Sequence, residues 1–258
     1  MTNVCFAHII NENLGDAFCC PKSHFSEFAG CPQLDFRWLP AEMSKPPWTL
    51  VVGGGGMLHP GVDTWIQARS NAQRVILWGI GVNYHDGAPI PAWRECVKNC
   101  ALVAIRDADE CGSGIRWCPC PSCLAPEFDS ARDLTPTQDA VCFEHYQHRM
   151  RLPYSTRNNL RDRGWQFKEA ITFLASGRRV ITNSFHGAYW GALLGRPVLI
   201  YKPFSTRFRS GLSHRNFANT EEEVRSWLTR DAVVPSSDYL ESCRTANWGI
   251  FRHVLSLL

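Results

Sequence analysis

His186 stands in the segment RVITNSFHGAYWGALLGRPVLIY, residues 179–201, where an apolar run gives way to polar residues and then to small ones. The pattern predicts a strand, a turn, and a helix whose first turn carries the imidazole. Ser184 or Asn183 would cap that helix, and Gly187 begins the run of small residues behind the histidine. The remaining N–H groups of the first turn are then left for an anion. The positive end of the helix dipole favours a neutral imidazole. In that form it serves as a general base or as a hydrogen-bond donor to phosphate. A buried, hydrogen-bonded histidine with a packing role is the plain alternative. Just downstream, Lys202, Arg207, Arg209 and Arg215 follow one another with no acid among them, and residues 144–179 hold eight Arg or Lys against three acids. Such a stretch fits either an anionic small-molecule ligand or a solvated face.

Four other places combine glycine with polar side chains: Asn13-Leu14-Gly15-Asp16, Gly53-Gly54-Gly55-Gly56, Gly81-Val82-Asn83 and Arg106-Asp107. A tight turn accounts for one isolated glycine. Four in a row after an apolar run let the backbone approach a ligand and present several N–H groups. Neither the dinucleotide pattern G-x-G-x-x-G nor the P-loop pattern occurs, which sets aside nicotinamide enzymes and nucleoside triphosphatases. Cys118-Pro-Cys-Pro-Ser-Cys123 is the one tight cluster among twelve cysteines. Cys111 or His145 would be its fourth metal ligand, but the second C-x-x-C or C-x-x-H half of a strong zinc signal is missing. No metal is therefore expected, and buried, unreactive thiols are.

The elements that must position these residues alternate. Apolar runs over 3–10, 32–38, 48–52, 74–79, 100–105, 140–144, 179–182 and 197–201 read as strands. Helices are expected over 61–72, 91–98, 166–174, 188–194, 220–228 and 238–258, with Gly195 as the residue just past one of them. Residues 146–163 read as a long polar loop. Short strands separated by helices imply a parallel sheet flanked by helices. The Pro-, Ser- and Cys-rich stretch 119–136 is the expected domain border, giving units of 1–135 and 136–258 with the last helix packed back on the first. In such folds ligands collect beyond the carboxyl ends of strands, where the unusual residues fall.

Composition bounds the rest. With 258 residues, 45% hydrophobic and 12% aromatic, the chain has ample apolar surface to order itself. Its apolar runs are interrupted well short of a membrane span. A formal charge of +3 is not the footprint of a nucleic-acid binder. The N-terminus has no basic region followed by a cleavage-like site, so a cytoplasmic protein with reduced cysteines is expected.

Taken together, these motifs resemble the polysaccharide pyruvyl transferase family. The family's N-x-G-D turn corresponds to Asn13–Asp16, its Gly-rich element to Gly53–Gly56, its Gly-containing strand end to residues 79–83, and its R-D pair to Arg106-Asp107. The histidine at a strand-to-helix turn corresponds to Ser184-Phe185-His186-Gly187, and with the G-R-P-V strand after it this is the most specific match. Many members carry Arg where this chain has Ser184, so Lys202, Arg207 and Arg209 are the natural substitutes.

The resemblance implies two Rossmann-like domains of the GT-B type with mostly parallel sheets. It also implies phosphoenolpyruvate as donor substrate, no separate cofactor, and a carbohydrate acceptor. A lipid-linked acceptor would bring peripheral membrane association. His186 and Asp16 are then the expected catalytic pair. Arg106, Ser184, Gly187, Lys202, Arg207 and Arg209 are expected at the donor, and Asn13, Gly15, Gly54, Gly55, Gly56 and Asn83 at the acceptor. A glycosyltransferase using a nucleotide sugar, a non-catalytic phosphosugar-binding protein and a zinc or redox protein are the rival readings.

Overall fold

The computed structural model describes residues 3–38, 48–58, 72–83, 93–160, 166–208, 212 and 216–258. In chain order the first elements are β1 (Val4–His8), α1 (Leu14–Phe18), β2 (Gln33–Asp35), β3 (Thr49–Gly53), β4 (Arg74–Ile80), α2 (Trp93–Val97), β5 (Leu102–Ile105), β6 (Ile115–Trp117) and α3 (Glu127–Arg132). Then come β7 (Val141–Glu144), β8 (Ser155–Asn158), α4 (Phe167–Ser176), β9 (Val180–Thr182), α5 (Phe185–Leu193), β10 (Val198–Tyr201), β11 (Asn216–Ala218), α6 (Glu221–Leu228) and α7 (Tyr239–Leu257). The strands form two sheets, β2-β1-β3-β4-β5-β6 and β11-β10-β9-β7-β8. Every strand pair is parallel. This is the α/β architecture expected, two mostly parallel sheets flanked by helices. No helix among the described residues is long and apolar enough to cross a membrane.

Two compact units result. The first holds Met1–Asn11, Gly15–Leu124 and Cys243–Leu258; the second holds Glu12–Leu14 and Ala125–Ser242. The chain thus leaves the first unit after Leu124, where residue 135 was expected, and re-enters it at Cys243. The expected helix over 61–72 lies, but for its last residue, outside the described residues.

In the first unit alternate strand residues bury to opposite faces. Cys5, Leu50, Val52, Val75, Leu77 and Val103 share one cluster with Trp93 and Val97 of α2. Val4, Phe6, Val51, Ile76, Trp78 and Ala104 share another with Phe25, Phe28 and the α7 residues Ile250, Phe251 and Val254. Burial on both faces is why these strands read as unbroken apolar runs rather than alternating ones.

Three strands were not anticipated: β6, β8 and β11. All three lie at sheet edges, and β8, sequence STRN, is mostly exposed. An edge strand with little burial has no apolar run to announce it, so it falls inside what the sequence presents as loop. In the second unit the helices carry the expected signals. Thr220 and Glu223 form a reciprocal capping box on α6, as Gln166 and Glu169 do on α4. Gly195 follows α5 with φ 72°.

One buried amide ties the ends of the first unit together. Asn247 of α7 is fully buried; its Oδ1 accepts from Trp78 Nε1 at 2.9 Å, and its Nδ2 donates to the carbonyls of Pro119 and Cys243 at 3.2 and 3.1 Å. Asn247→Ala strands the indole N–H and these carbonyls in an apolar setting. The expected cost is about 2–3 kcal/mol, read by urea denaturation. A loss below about 0.5 kcal/mol would mean that water replaces the amide.

Candidate functional site

In the first unit, polar residues gather beyond the carboxyl ends of β3, β4 and β5. After β3 the chain runs alongside the continuation of β4. Leu58 N donates to Gly81 O at 3.1 Å, Gly81 N to Gly55 O at 2.9 Å, and Asn83 N to Leu58 O at 2.8 Å. Gly54 and Gly55 both take left-handed backbone, φ 73° and 74°, and a side chain at 54 would fall 2.2 Å from Cys19 Sγ. Only glycine permits that turn at that distance. Asn83 Nδ2 donates to Gly56 O at 3.3 Å, and the Asp107 carboxylate accepts from Val82 N at 2.8 Å, fastening the R-D pair to the same strand end.

Asp16 in α1 is half-buried. Its carboxylate accepts from Asn11 Nδ2 at 2.9 Å, and a side chain on Gly55 would lie 3.7 Å from its Oδ1. Arg106 is 2% exposed, with its guanidinium laid over Gly81, where a Cβ would fall 2.2 Å from Nε. Burial raises the thiol pKa values of Cys19 and Cys120. Asp16 pushes both further up, and Arg106 pulls both down. Both charges therefore lie beside those two thiols. Asp16, Gly55, Gly56, Asn83 and Arg106 are brought to one end of the first sheet.

His8, which the motifs did not single out, supports Asp16. Its Nδ1–H donates to the Asp16 carbonyl at 3.0 Å, which leaves Nε2 to accept from Gln33 Nε2. Burial, opposed by the Asp16 carbonyl and carboxylate, lowers the imidazole pKa. Cys19 Sγ donates to that carbonyl as well, at 2.9 Å.

In the second unit the turn after β9 is fixed from within. Thr182 Oγ1 donates to Phe143 O and accepts from Ser184 N, the latter at 2.9 Å. Ser184 caps α5, its Oγ accepting from Gly187 N at 3.4 Å. A side chain at Gly187 would fall 2.4 Å from Thr182 Oγ1. His186 follows in the first turn, 6% exposed, its ring centroid 5.2 Å from that of Trp190.

Of the two capping candidates Ser184 takes the role, and Asn183 does something else. Its Oδ1 accepts from His145 N and its Nδ2 donates to His148 O, both at 2.7 Å, clamping the turn after β7 to the turn after β9. That clamped turn carries a ring cluster. His148 stacks on Phe204 at 4.0 Å, His145 meets Phe204 at 5.2 Å, and Arg207 lies 5.3 Å from the Phe204 ring.

Lys202, past β10, is exposed and left-handed at φ 48°, its N–H donating to Ala218 O at 2.8 Å. Non-glycine residues persist in that conformation where surrounding structure imposes it, often at functional sites. Ser184, His186, Gly187, Lys202 and Arg207 thus belong to one end of the second sheet. Arg209 lies outside the described residues.

The N-x-G-D turn is divided. Gly15 and Asp16 belong to the first unit. Asn13 belongs to the second, where its Oδ1 accepts from Asn159 Nδ2 at 3.1 Å. Arg106, expected with the donor residues, sits in the first unit. Cys118, Cys120 and Cys123 are buried free thiols. Among the described residues, no three or more of His, Cys, Asp and Glu are grouped so as to hold a metal ion. His148 and Phe204 are functional candidates that motif reading passed over, and Asn183 and His145 were read only as a possible cap and a possible metal ligand. The one signal of His148 and Phe204 was position, a few residues past apolar strands.

Residues 20–202 match the family model described as polysaccharide pyruvyl transferase. No curated protein matches the chain. Among solved structures the chain is similar to the crystal structure of an uncharacterized protein from Klebsiella pneumoniae, at 16% identity and a TM-score of 0.55, over 85% of this chain and 94% of that one. That likeness supports the α/β fold.

Two expectations follow from the geometry. The folded protein holds His8 neutral below the ordinary imidazole value of 6.5, whereas the unfolded chain protonates it there. Stability is therefore complete above that pH and declines as pH falls through it toward the lowered folded value. Denaturation at several pH values should show this decline in wild type and its reduction in His8→Gln. Equal slopes would exclude His8 as its source. Gly187→Ala should cost about 1–3 kcal/mol through the clash with Thr182, measured by urea denaturation.

Proposed function

The chain belongs to the polysaccharide pyruvyl transferase family, and on that premise we propose that it moves a pyruvyl group from phosphoenolpyruvate to one or a pair of sugar hydroxyls. The observation that carries this reading is the end of the second sheet. There a Ser-capped helix presents His186, and Lys202 and Arg207 follow the adjoining strand. A donor with a phosphate and a carboxylate calls for cations and a helix N-terminus. Where family members often carry Arg, Ser184 is occupied as a cap, so the cationic share falls to Lys202 and Arg207.

In the reaction, a proton added to the donor's methylene carbon makes a methyl group and leaves C2 electrophilic. A sugar hydroxyl attacks C2 and gives up its proton. The C2–O bond to phosphate then breaks, a second hydroxyl closes the ketal, and its proton leaves with the inorganic phosphate. His186 handles one of the two protons or contacts the phosphate. Asp16, in the first unit, takes the proton of the attacking hydroxyl. We assign the first unit to the acceptor, with Gly54, Gly55, Gly56 and Asn83 lining its approach, and the second to the donor. Arg106, expected at the donor, follows β5 in the first unit. Cationic side chains stabilise the charge on the departing phosphate.

Isothermal titration with phosphoenolpyruvate tests the donor half, and transfer to a panel of oligosaccharides tests the chemistry. Lys202→Ala/Arg207→Ala should bind the donor at least about tenfold more weakly, as loss of charge-assisted contacts predicts. His186→Ala should lower transfer by about a hundredfold or more, with stability within about 2 kcal/mol of wild type. Unchanged turnover in His186→Ala would remove that residue from the site. Selective binding of a nucleotide sugar would replace the donor.

A further inference from the structure

The first unit holds a cavity of about 560 Å³ away from the glycine loops. It is lined by Leu102 and Val103, the first residues of β5, and by Ile115, the first of β6, together with Arg94, Lys98, Arg116 and His253. Arg106 follows the other end of β5, so this cavity opens at the amino end of a strand whose carboxyl end carries the candidate site. The fold's general preference for ligands at carboxyl ends does not account for it.

Its chemistry is two-layered. Leu102 and Val103 are buried and form an apolar floor. Four nitrogen-bearing side chains stand around that floor, from α2 and its C-terminal end, β6 and α7. Among the described residues that line the cavity none is acidic. The nearby carboxylate of Glu110 is engaged by Arg94, whose Nη2 donates to Glu110 Oε2 at 2.8 Å and to Glu110 O at 2.9 Å. Arg94 is further held against the Trp93 ring, at 4.8 Å. Lys98 and Arg116 are exposed, and His253 is half-buried. Arginine and lysine side chains that line one cavity, with no carboxylate among its described lining residues, suit phosphate, and the floor suits an apolar group beside it.

We propose that this cavity is a second binding site, separate from the transfer chemistry, for a phosphate- or diphosphate-bearing ligand. The ligand seats its anionic group among Lys98, Arg116 and His253 and lays its neighbouring atoms on the apolar floor. A soluble phosphate compound and the head group of a membrane lipid share this chemistry.

The test is titration with inorganic pyrophosphate, paired with flotation on phosphatidylcholine vesicles with and without phosphatidylglycerol. It uses wild type, Lys98→Glu/Arg116→Glu, the milder Lys98→Gln/Arg116→Gln, and Lys202→Ala/Arg207→Ala, each checked for an unchanged melting profile. Reversal of both charges should weaken pyrophosphate binding by about tenfold or more and leave phosphoenolpyruvate binding unchanged. Neutralisation should have a smaller effect in the same direction. Flotation that needs phosphatidylglycerol and is lost in the charge-reversed variant assigns the site to a lipid head group. Pyrophosphate binding without flotation assigns it to a soluble ligand. Pyrophosphate and vesicle binding that match wild type in the charge-reversed variant, or no binding of either in wild type, would overturn the proposal. Binding lost only in Lys202→Ala/Arg207→Ala would place the anion at the donor site and overturn it equally.

Discussion

A wholly parallel sheet cannot be closed by hairpins. Each strand must be followed by a crossover on one face or the other, and both faces end up covered. That constraint governs each unit. In the first, two hydrophobic clusters press on opposite sides of β1, β3, β4 and β5. With the faces sealed, the open backbone lies at strand ends, where polar side chains can be placed at little cost to the core. The glycine loop after β3, the R-D pair after β5 and the capped histidine turn after β9 are all answers to that condition.

Strand ends bring their own difficulty, because backbone groups there lose their ladder partners and must find others. The protein meets this with side chains in and around the candidate site. Asp107 takes the Val82 N–H, Asn83 donates to Gly56 O, and Thr182 and Ser184 satisfy the turn that carries His186. Asn183 spans two turns through both ends of its amide. The same hydrogen bonds that satisfy the backbone also hold the candidate groups in one orientation. Preorganisation of that kind is what proton transfer and anion binding require.

Ser184 has a physical reading in these terms. Ser184 is short enough to turn back on Gly187 N and cap α5, which an arginine at that place would not do. Past β10, Lys202 holds a left-handed backbone and Arg207 rests against two phenylalanine rings. The cysteines tell a similar story. Cys118, Cys123 and Cys243 surround the Asn247 amide, and burial holds the Cys118 thiol protonated. They act as small packing groups around a polar tie.

The sequence by itself determined the apolar central strands, the capped helices and the residue types at strand ends, because burial on two faces, helix caps and glycine turns are each written in a few consecutive residues. It therefore yielded the α/β class, the family resemblance and most site candidates. It did not yield the edge strands β6, β8 and β11, whose residues bury too little to form a pattern. Nor did it show that Asn13 and Asp16, three positions apart, belong to different units, or that Asn247 is the residue that ties the last helix to the first unit, where that helix was expected to pack. His8 beneath Asp16, the clamp by Asn183 and the His148–Phe204–Arg207 stack were decided only by tertiary structure. Each joins residues from different elements, and a polar side chain acquires its role from the partner that folding places opposite it.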